Sequence, residues 1–254
     1  RPQQLCRSLA KLGYKVIFCQ DMVDIDGRNQ YPFDIDYLKP TETENLFLCY
    51  SLERYSREHL DETIVFYASS GPGHAYRNSL TKYCDIFLYD ELDDFPEWRK
   101  HSLIAQLNAD RIIYSAHSLR EVIEKNREDY PEITDKITYV GNACDYDYWN
   151  IPMKDAGSVR APFKIMYIGA FSAWLDFPMI IEVIQKCTIP VRFYFVGANF
   201  TGRAAQGYLE YLKGMGDKVV ILPHWDYNDL TFLAKSADLF WIPFDVTERK
   251  ITDM

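Results

Sequence analysis

One stretch, Lys164 to Val196, restricts the possible folds more than any other part of the chain. Lys164-Ile-Met-Tyr-Ile-Gly169 reads as a buried strand that ends on glycine. Ala170 to Asp176 is a loop, and Asp176-Phe-Pro178 carries a capping carboxylate and an early proline that open a helix. Val191-Arg-Phe-Tyr-Phe-Val-Gly197 is a second strand, again ending on glycine. Two strands joined through a helix must run parallel, with a right-handed crossover. A parallel sheet built this way is buried on both faces and presents its functional surface beyond the carboxyl ends of its strands. The unit starts mid-chain, just past Val140-Gly-Asn-Ala-Cys-Asp145. It therefore opens a second α/β domain rather than continuing the first.

The preceding half alternates in the same way. Leu5, Leu9 and Leu12 recur at helical spacing and Gly13 ends that helix. Strands follow at Tyr14–Cys19, Leu46–Cys49, Thr63–Tyr67, Asp85–Tyr89, Arg111–Tyr114 and Lys136–Val140, with helices over Leu52–Leu60 and Glu97–Asn108. A further helix runs from the Ser69-Ser-Gly-Pro-Gly73 turn to Lys82, and another opens on the capping box Ser118-Leu-Arg-Glu121. Asp21 to Thr43 is polar, broken by Gly27, Pro32 and Pro40, and reads as loop with room for a short hairpin. The second half gives strands at 164–168, 191–196, 218–222 and 238–242, with helices at 177–187, 205–213 and 227–236; Asp226-Tyr-Asn-Asp229 caps the last helix. The expected architecture is α/β: two Rossmann-like parallel-sheet domains facing a cleft, the second incomplete. The first domain covers 1–150, a linker 151–162, and the second domain 163–254.

Charge and cysteine usage exclude several classes. A net charge of −9 is wrong for a bare nucleic-acid binder, and broad adhesion to anionic membranes is excluded on the same ground. A local patch for peripheral membrane contact, or for a small anionic ligand, is compatible with it. Cys6, Cys19, Cys49, Cys84, Cys144 and Cys187 form no C-x-x-C pair and sit in or beside apolar runs, as reduced thiols of a cytoplasmic protein do. No run approaches the ~18 apolar residues of a membrane span, and no signal peptide is visible. The sequence does not set an oligomeric state. The chain opens inside a helix with no strand before it and stops partway into a loop, so the expectation is a trimmed chain.

Candidate site residues cluster where parallel strands end. The loop Gly169–Asp176 can aim backbone N–H groups at a diphosphate, or it is an ordinary strand-to-helix turn. It lacks the full G-x-G-x-x-G pattern, which argues against a dinucleotide dehydrogenase. Asp90, Asp93 and Asp94 follow a strand end and could orient a hydroxyl acceptor or act as general base, or form a solvated acidic turn. Arg249 and Lys250 lie beyond Ile242-Pro-Phe244, where two cations could neutralise a leaving diphosphate, or be plain loop charges. His74, after the Ser-Ser-Gly-Pro-Gly turn, reads as a capping or exposed residue more than a ligand contact. His59, His101, His117 and His224 show no metal-ligand spacing, and no metal site is expected. Asp-x-Asp occurs at 24/26, 34/36 and 145/147, too often in so acidic a chain to mark a metal motif. No nucleophile elbow or Ser-His-Asp arrangement is present.

Five stretches, in this order, resemble GT-B-fold glycosyltransferases of the family-4-like group, especially the teichuronic-acid type of sugar transferase. They are Arg1-Pro-Gln-Gln-Leu5 with Gly13; Tyr89-Asp90 with Asp93-Asp94-Phe95; Val140-Gly-Asn142 with Asp145; Gly169-Ala170 with Trp174 and Asp176; and Leu230 to Phe244 with Asp238 and Pro243. The third departs from the family's isoleucine-proline-asparagine-glycine-valine-aspartate, with Gly141 in place of proline and Ala143-Cys144 in place of glycine-valine. The resemblance implies a nucleotide-diphosphate-sugar donor as a substrate, with no further cofactor and no metal. It implies a saccharide or lipid-linked acceptor in polysaccharide or glycan biosynthesis, and retention of anomeric configuration. It would place Gly169, Ala170 and Trp174 near the diphosphate, Leu222 and His224 near the nucleoside, and Asp90, Asp93 and Asp94 on the acceptor side. The family's proline-x-lysine-x-x-glutamate-tyrosine segment would begin after Met254, so the chain by itself is expected to bind donor weakly and not to turn over. Two rival readings stay open at this level: a nucleotide-sugar epimerase on the same fold, and a non-catalytic scaffold or carbohydrate-binding module.

Overall fold

A computed structural model of the chain describes residues 2–19, 36–70, 80–95, 98–150, 162–200 and 202–246. The chain divides into two compact units, one over Arg1–Ala143 and one over Cys144–Asp253.

In the first unit, helix α1 (Pro2–Lys11) leads to strand β1 (Val16–Cys19), which pairs in parallel with β3 (Leu46–Cys49). The polar segment read as loop contains one more strand, β2 (Leu38–Pro40), antiparallel to β3 on its far side. Its Pro40 closes an edge strand, where a missing N–H does least harm. Helix α2 (Leu52–Glu58) then precedes a second sheet, β4 (Val65–Ser69), β5 (Ile86–Glu91), β6 (Arg111–Tyr114) and β7 (Ile137–Tyr139), parallel throughout and in sequence order. Helix α3 (Arg99–Asn108) connects β5 to β6, and α4 (His117–Asp129) with a 3-10 stretch (Pro131–Lys136) connects β6 to β7. Phe66, Phe87, Tyr89, Ile112, Ile123 and Ile133 fill the core of this sheet. Burying one such side chain contributes ~1.5–3 kcal/mol.

One local expectation fails here for a clear reason. The capping box at Ser118 does not form: α4 begins at His117, with Ala116 as an N-cap that makes no side-chain bond. Ser118 is thus already inside the first turn, where its hydroxyl cannot act as the cap. The helix expected to run to Lys82 lies mostly outside the described residues; Leu80 is helical, and a 3-10 turn, Thr81–Tyr83, follows it.

The second unit starts with a short helix, α5 (Tyr146–Trp149), capped by Asp145, whose side chain accepts from the Tyr148 N–H. Its sheet has the order β10-β9-β8-β11, all parallel, with β8 Phe163–Ile168, β9 Val191–Val196, β10 Val219–Leu222 and β11 Leu239–Phe240. Helices α6 (Phe177–Lys186), α7 (Gly202–Lys213) and α8 (Tyr227–Ala234) make the crossovers. Asp176 caps α6 by accepting from the Met179 N–H at 2.9 Å. Asp226 holds the N-cap position of α8, but without a side-chain cap bond. Phe171, Ile180, Phe193, Phe195 and Leu212 are fully buried between these layers.

Candidate functional site

The strand order of the second unit marks its candidate site. The chain builds β8, then β9, then β10 outward, and returns to place β11 on the opposite side of β8. The reversal occurs at the carboxyl end of β8, the topological switch point at which open parallel sheets leave a crevice. Register puts Ile168, Val196 and Leu222 in one row across β8, β9 and β10, so Gly169, Gly197 and Pro223 form the row of tips beyond it.

Close backbone approach requires glycine at 197, and the ring of a buried tyrosine crowds position 169. A Cβ on Gly197 would lie 1.9 Å from the Gly169 carbonyl oxygen. A Cβ on Gly169 would lie 2.5 Å from the Tyr167 hydroxyl oxygen. Tyr167 is buried, and its hydroxyl donates to the Ala170 carbonyl at 2.8 Å. Burial raises the pKa of this hydroxyl, while a hydrogen bond from Trp174 pulls it back. Tyr167 thus ties the glycine loop at Ala170 and at Trp174; in the sequence it was read only as part of the strand 164–168.

The loop is further tied to its neighbours. Phe171 N–H donates to the Ala198 carbonyl at 2.8 Å, and Phe200 N–H to the Phe171 carbonyl at 2.7 Å. On the other side, Asp176 N–H donates to the Pro243 carbonyl at 3.0 Å and Asp245 N–H to the Trp174 carbonyl at 2.8 Å. The segment after β11 therefore forms one wall of the loop. Gly169, Phe171, Leu175 and Asp176 use their amides on protein carbonyls. Among the described residues, the amides of Ala170, Ser172, Ala173 and Trp174 meet no such carbonyl and can serve an anionic ligand. Leu222 is half-buried at the same edge, and His224 is exposed two residues beyond it. Gly169, Ala170, Trp174, Leu222 and His224 are thus brought to one rim, while Arg249 and Lys250 lie outside the described residues.

In the first unit the acidic cluster sits at the corresponding carboxyl edge, but its members differ in setting. Asp90 has no exposed surface and accepts a short hydrogen bond from the Tyr67 hydroxyl. Asp94 is buried and takes a two-pronged bond from Arg99, Nε to Oδ1 and Nη2 to Oδ2, each 2.7 Å. Asp93 is the exposed member, and desolvation on its protein side raises its carboxyl above the usual range. Ser70 fixes the path of this loop: its buried hydroxyl oxygen accepts from the amides of Leu92 at 2.8 Å and Asp93 at 2.9 Å. The Ser70 N–H closes the set by donating to the Asp90 carbonyl at 2.9 Å. Ser70, Arg99 and Tyr67 were not singled out from sequence. The serine pair at 69–70 was read only as part of a turn, and His74 lies outside the described residues.

Among the described residues, no group of three or more His, Cys, Asp and Glu side chains could hold a metal ion. Nor is any described helix long and apolar enough to cross a membrane.

No family model matches the sequence, and no curated protein does. Solved structures do match. The catalytic domain of starch synthase IV from Arabidopsis thaliana, bound to ADP and acarbose, gives a TM-score of 0.62 at 12% identity, covering 94% of this chain and 73% of that one. An alpha-glucosyltransferase in complex with UDP and a 13-mer DNA containing an HMU base gives 0.56 at 12% identity, over 77% of this chain and 57% of that one. Anabaena HepE in complex with UDP and glucose gives 0.52 at 14% identity, over 74% of this chain and 55% of that one. The chain thus spans little more than half the length of HepE and of the glucosyltransferase. With these proteins it shares an architecture of two Rossmann-like parallel-sheet units, and its fold is GT-B.

Proposed function

We propose that this chain is part of a glycosyltransferase that moves a sugar from a nucleotide-diphosphate donor to a saccharide or lipid-linked acceptor. The observation that carries the reading is the switch point of the second unit, where glycine-tipped strands meet loop amides not taken by described protein carbonyls. Solved structures of the same fold hold UDP or ADP, which supports a nucleoside diphosphate as the common part of the ligand.

In this reading the second unit binds donor. The amides of Ala170 and of Ser172 to Trp174 meet the diphosphate, and Leu222 and His224 flank the nucleoside. Arg249 and Lys250 neutralise the leaving diphosphate, a role that in other enzymes falls to a metal ion. The first unit takes the acceptor. Asp93 reaches its hydroxyl, while Asp90 and Asp94 hold the loop. Membership of the family-4-like group, retention of configuration and a cytoplasmic location are parts of the same proposal.

Calorimetric titration of the chain with UDP, ADP, GDP and dTDP tests it. One diphosphate should bind, and Gly169→Trp, verified as folded by circular dichroism, should abolish the binding. Absence of binding by all four to a folded chain, or binding unchanged in the variant, would contradict the donor-site assignment.

A further inference from the structure

Glu91 ends β5, one residue past Asp90, yet its carboxyl points into the protein and is 1% exposed. Gln106 of α3 donates its Nε2 to Glu91 Oε2 at 2.6 Å. Gln106 is itself fully buried, and its amide oxygen accepts from Asn126 Nδ2 of α4 at 2.9 Å. Ser102, also on α3, hydrogen-bonds to Glu91 and in turn accepts the Tyr89 hydroxyl at 2.9 Å. The charged groups facing Glu91 are its own neighbours Asp90 and Asp94, the latter forked by Arg99 of α3. One buried carboxyl therefore joins the tip of β5 to two helices, beside two other carboxylates.

Ionising such a group in place is costly, because water is excluded and the nearest charges are of like sign. Burial is the main cause that lifts its pKa to about 7; the Gln106 and Ser102 hydrogen bonds oppose the lift, and Asp94 and Asp90 add to it. If the loop opens, the carboxyl reaches water and ionises at the ordinary value near ~4.3.

We propose that Glu91 is a positioning residue and a proton-controlled latch: protonated, it fastens the acidic loop 92–95 to α3 and α4, and ionised, it releases that loop. The Ser70 bonds to the Leu92 and Asp93 amides report on the latch, since they break when the loop lifts. The loop is the one assigned above to the acceptor, but the latch does not rest on that assignment. Linkage sets the size of the effect: the open-to-closed ratio rises about tenfold between pH 6 and pH 8, then levels off.

Amide exchange of the full chain, corrected for intrinsic rates, tests the latch without any ligand. Wild-type Leu92 and Asp93 should lose about tenfold in protection from pH 6 to pH 8. Glu91→Gln should show no such loss. The same loss in both proteins, or none in the wild type, would overturn the proposal. A second measurement decides if the variant does not fold. In wild-type protein carrying carbon-13-labelled glutamate, one buried carboxyl should titrate near pH 7; if all glutamates titrate near ~4.3, the latch is refuted.

Discussion

At Gly197 the absence of a side chain is what allows two strand tips to touch. A methyl group there would stand 1.9 Å from the Gly169 carbonyl oxygen, a backbone atom that cannot swing aside. Gly197→Ala is expected to destabilise the second unit by about 2–3 kcal/mol, measured by urea unfolding. Gly207 provides the contrast: it is exposed within α7, and a Cβ there meets nothing within 4 Å. Gly207→Ala should instead stabilise by ~0.5–1 kcal/mol through helix propensity. Glu91 makes the residue-scale prediction for pH. Its folded pKa, about 7, lies above the unfolded value, so the folded state holds the extra proton between roughly pH 4.5 and 7. Stability contributed by this group is complete below that window and is lost as pH rises through it. Glu91→Gln should flatten the profile and exceed the wild type at pH 8 by on the order of 3 kcal/mol, with little difference at pH 4.5, as read from thermal melts. None of these roles was legible residue by residue. The glycines were visible as turn formers, but a contact between two loops distant in sequence was not. Glu91 was hidden in an acidic run, although a Gln on the buried stripe Ser102-Ala105-Gln106 signals a buried polar partner nearby.

Helix starts separate the caps that form from those that only look right in sequence. Asp176, before Phe177 and Pro178, accepts from the Met179 amide, and Asp176→Ala should cost ~1 kcal/mol. Ser118→Ala should be nearly neutral, because α4 has already begun at His117. Chemical denaturation of the two variants side by side checks the pair. The two serine/aspartate signals are equally persuasive in sequence; what differs is the residue at which each helix begins. A third element, α5, is held to α8 by Trp149 Nε1 donating to the Tyr227 hydroxyl at 2.7 Å and by the Tyr148 hydroxyl donating to the Tyr227 carbonyl at 2.6 Å. Tyr227→Phe should remove the first bond, weaken the docking of α5 by ~0.5–1.5 kcal/mol and alter Trp149 fluorescence. Sequence reading left 146–149 in the first domain, since four residues show too little period to reveal which element they pack against.

For the whole chain, the alternation of strands and helices made two parallel-sheet units legible, because buried parallel strands are apolar runs bounded by glycine and caps. The antiparallel β2 was not, since three polar-flanked residues at an edge carry almost no pattern. The candidate site was half legible. Gly169 announced a strand tip, but the order β10-β9-β8-β11, which makes that tip a switch point, is a property of the folded sheet. In the proposed function this switch point binds a nucleoside diphosphate. The most direct test is amide exchange across the whole chain with and without saturating UDP, ADP, GDP or dTDP, read by mass spectrometry. One of them is expected to protect residues 170–174 and 222–225 and to leave 92–95 unchanged. Protection confined to the first unit, or no protection by any of the four, would contradict it.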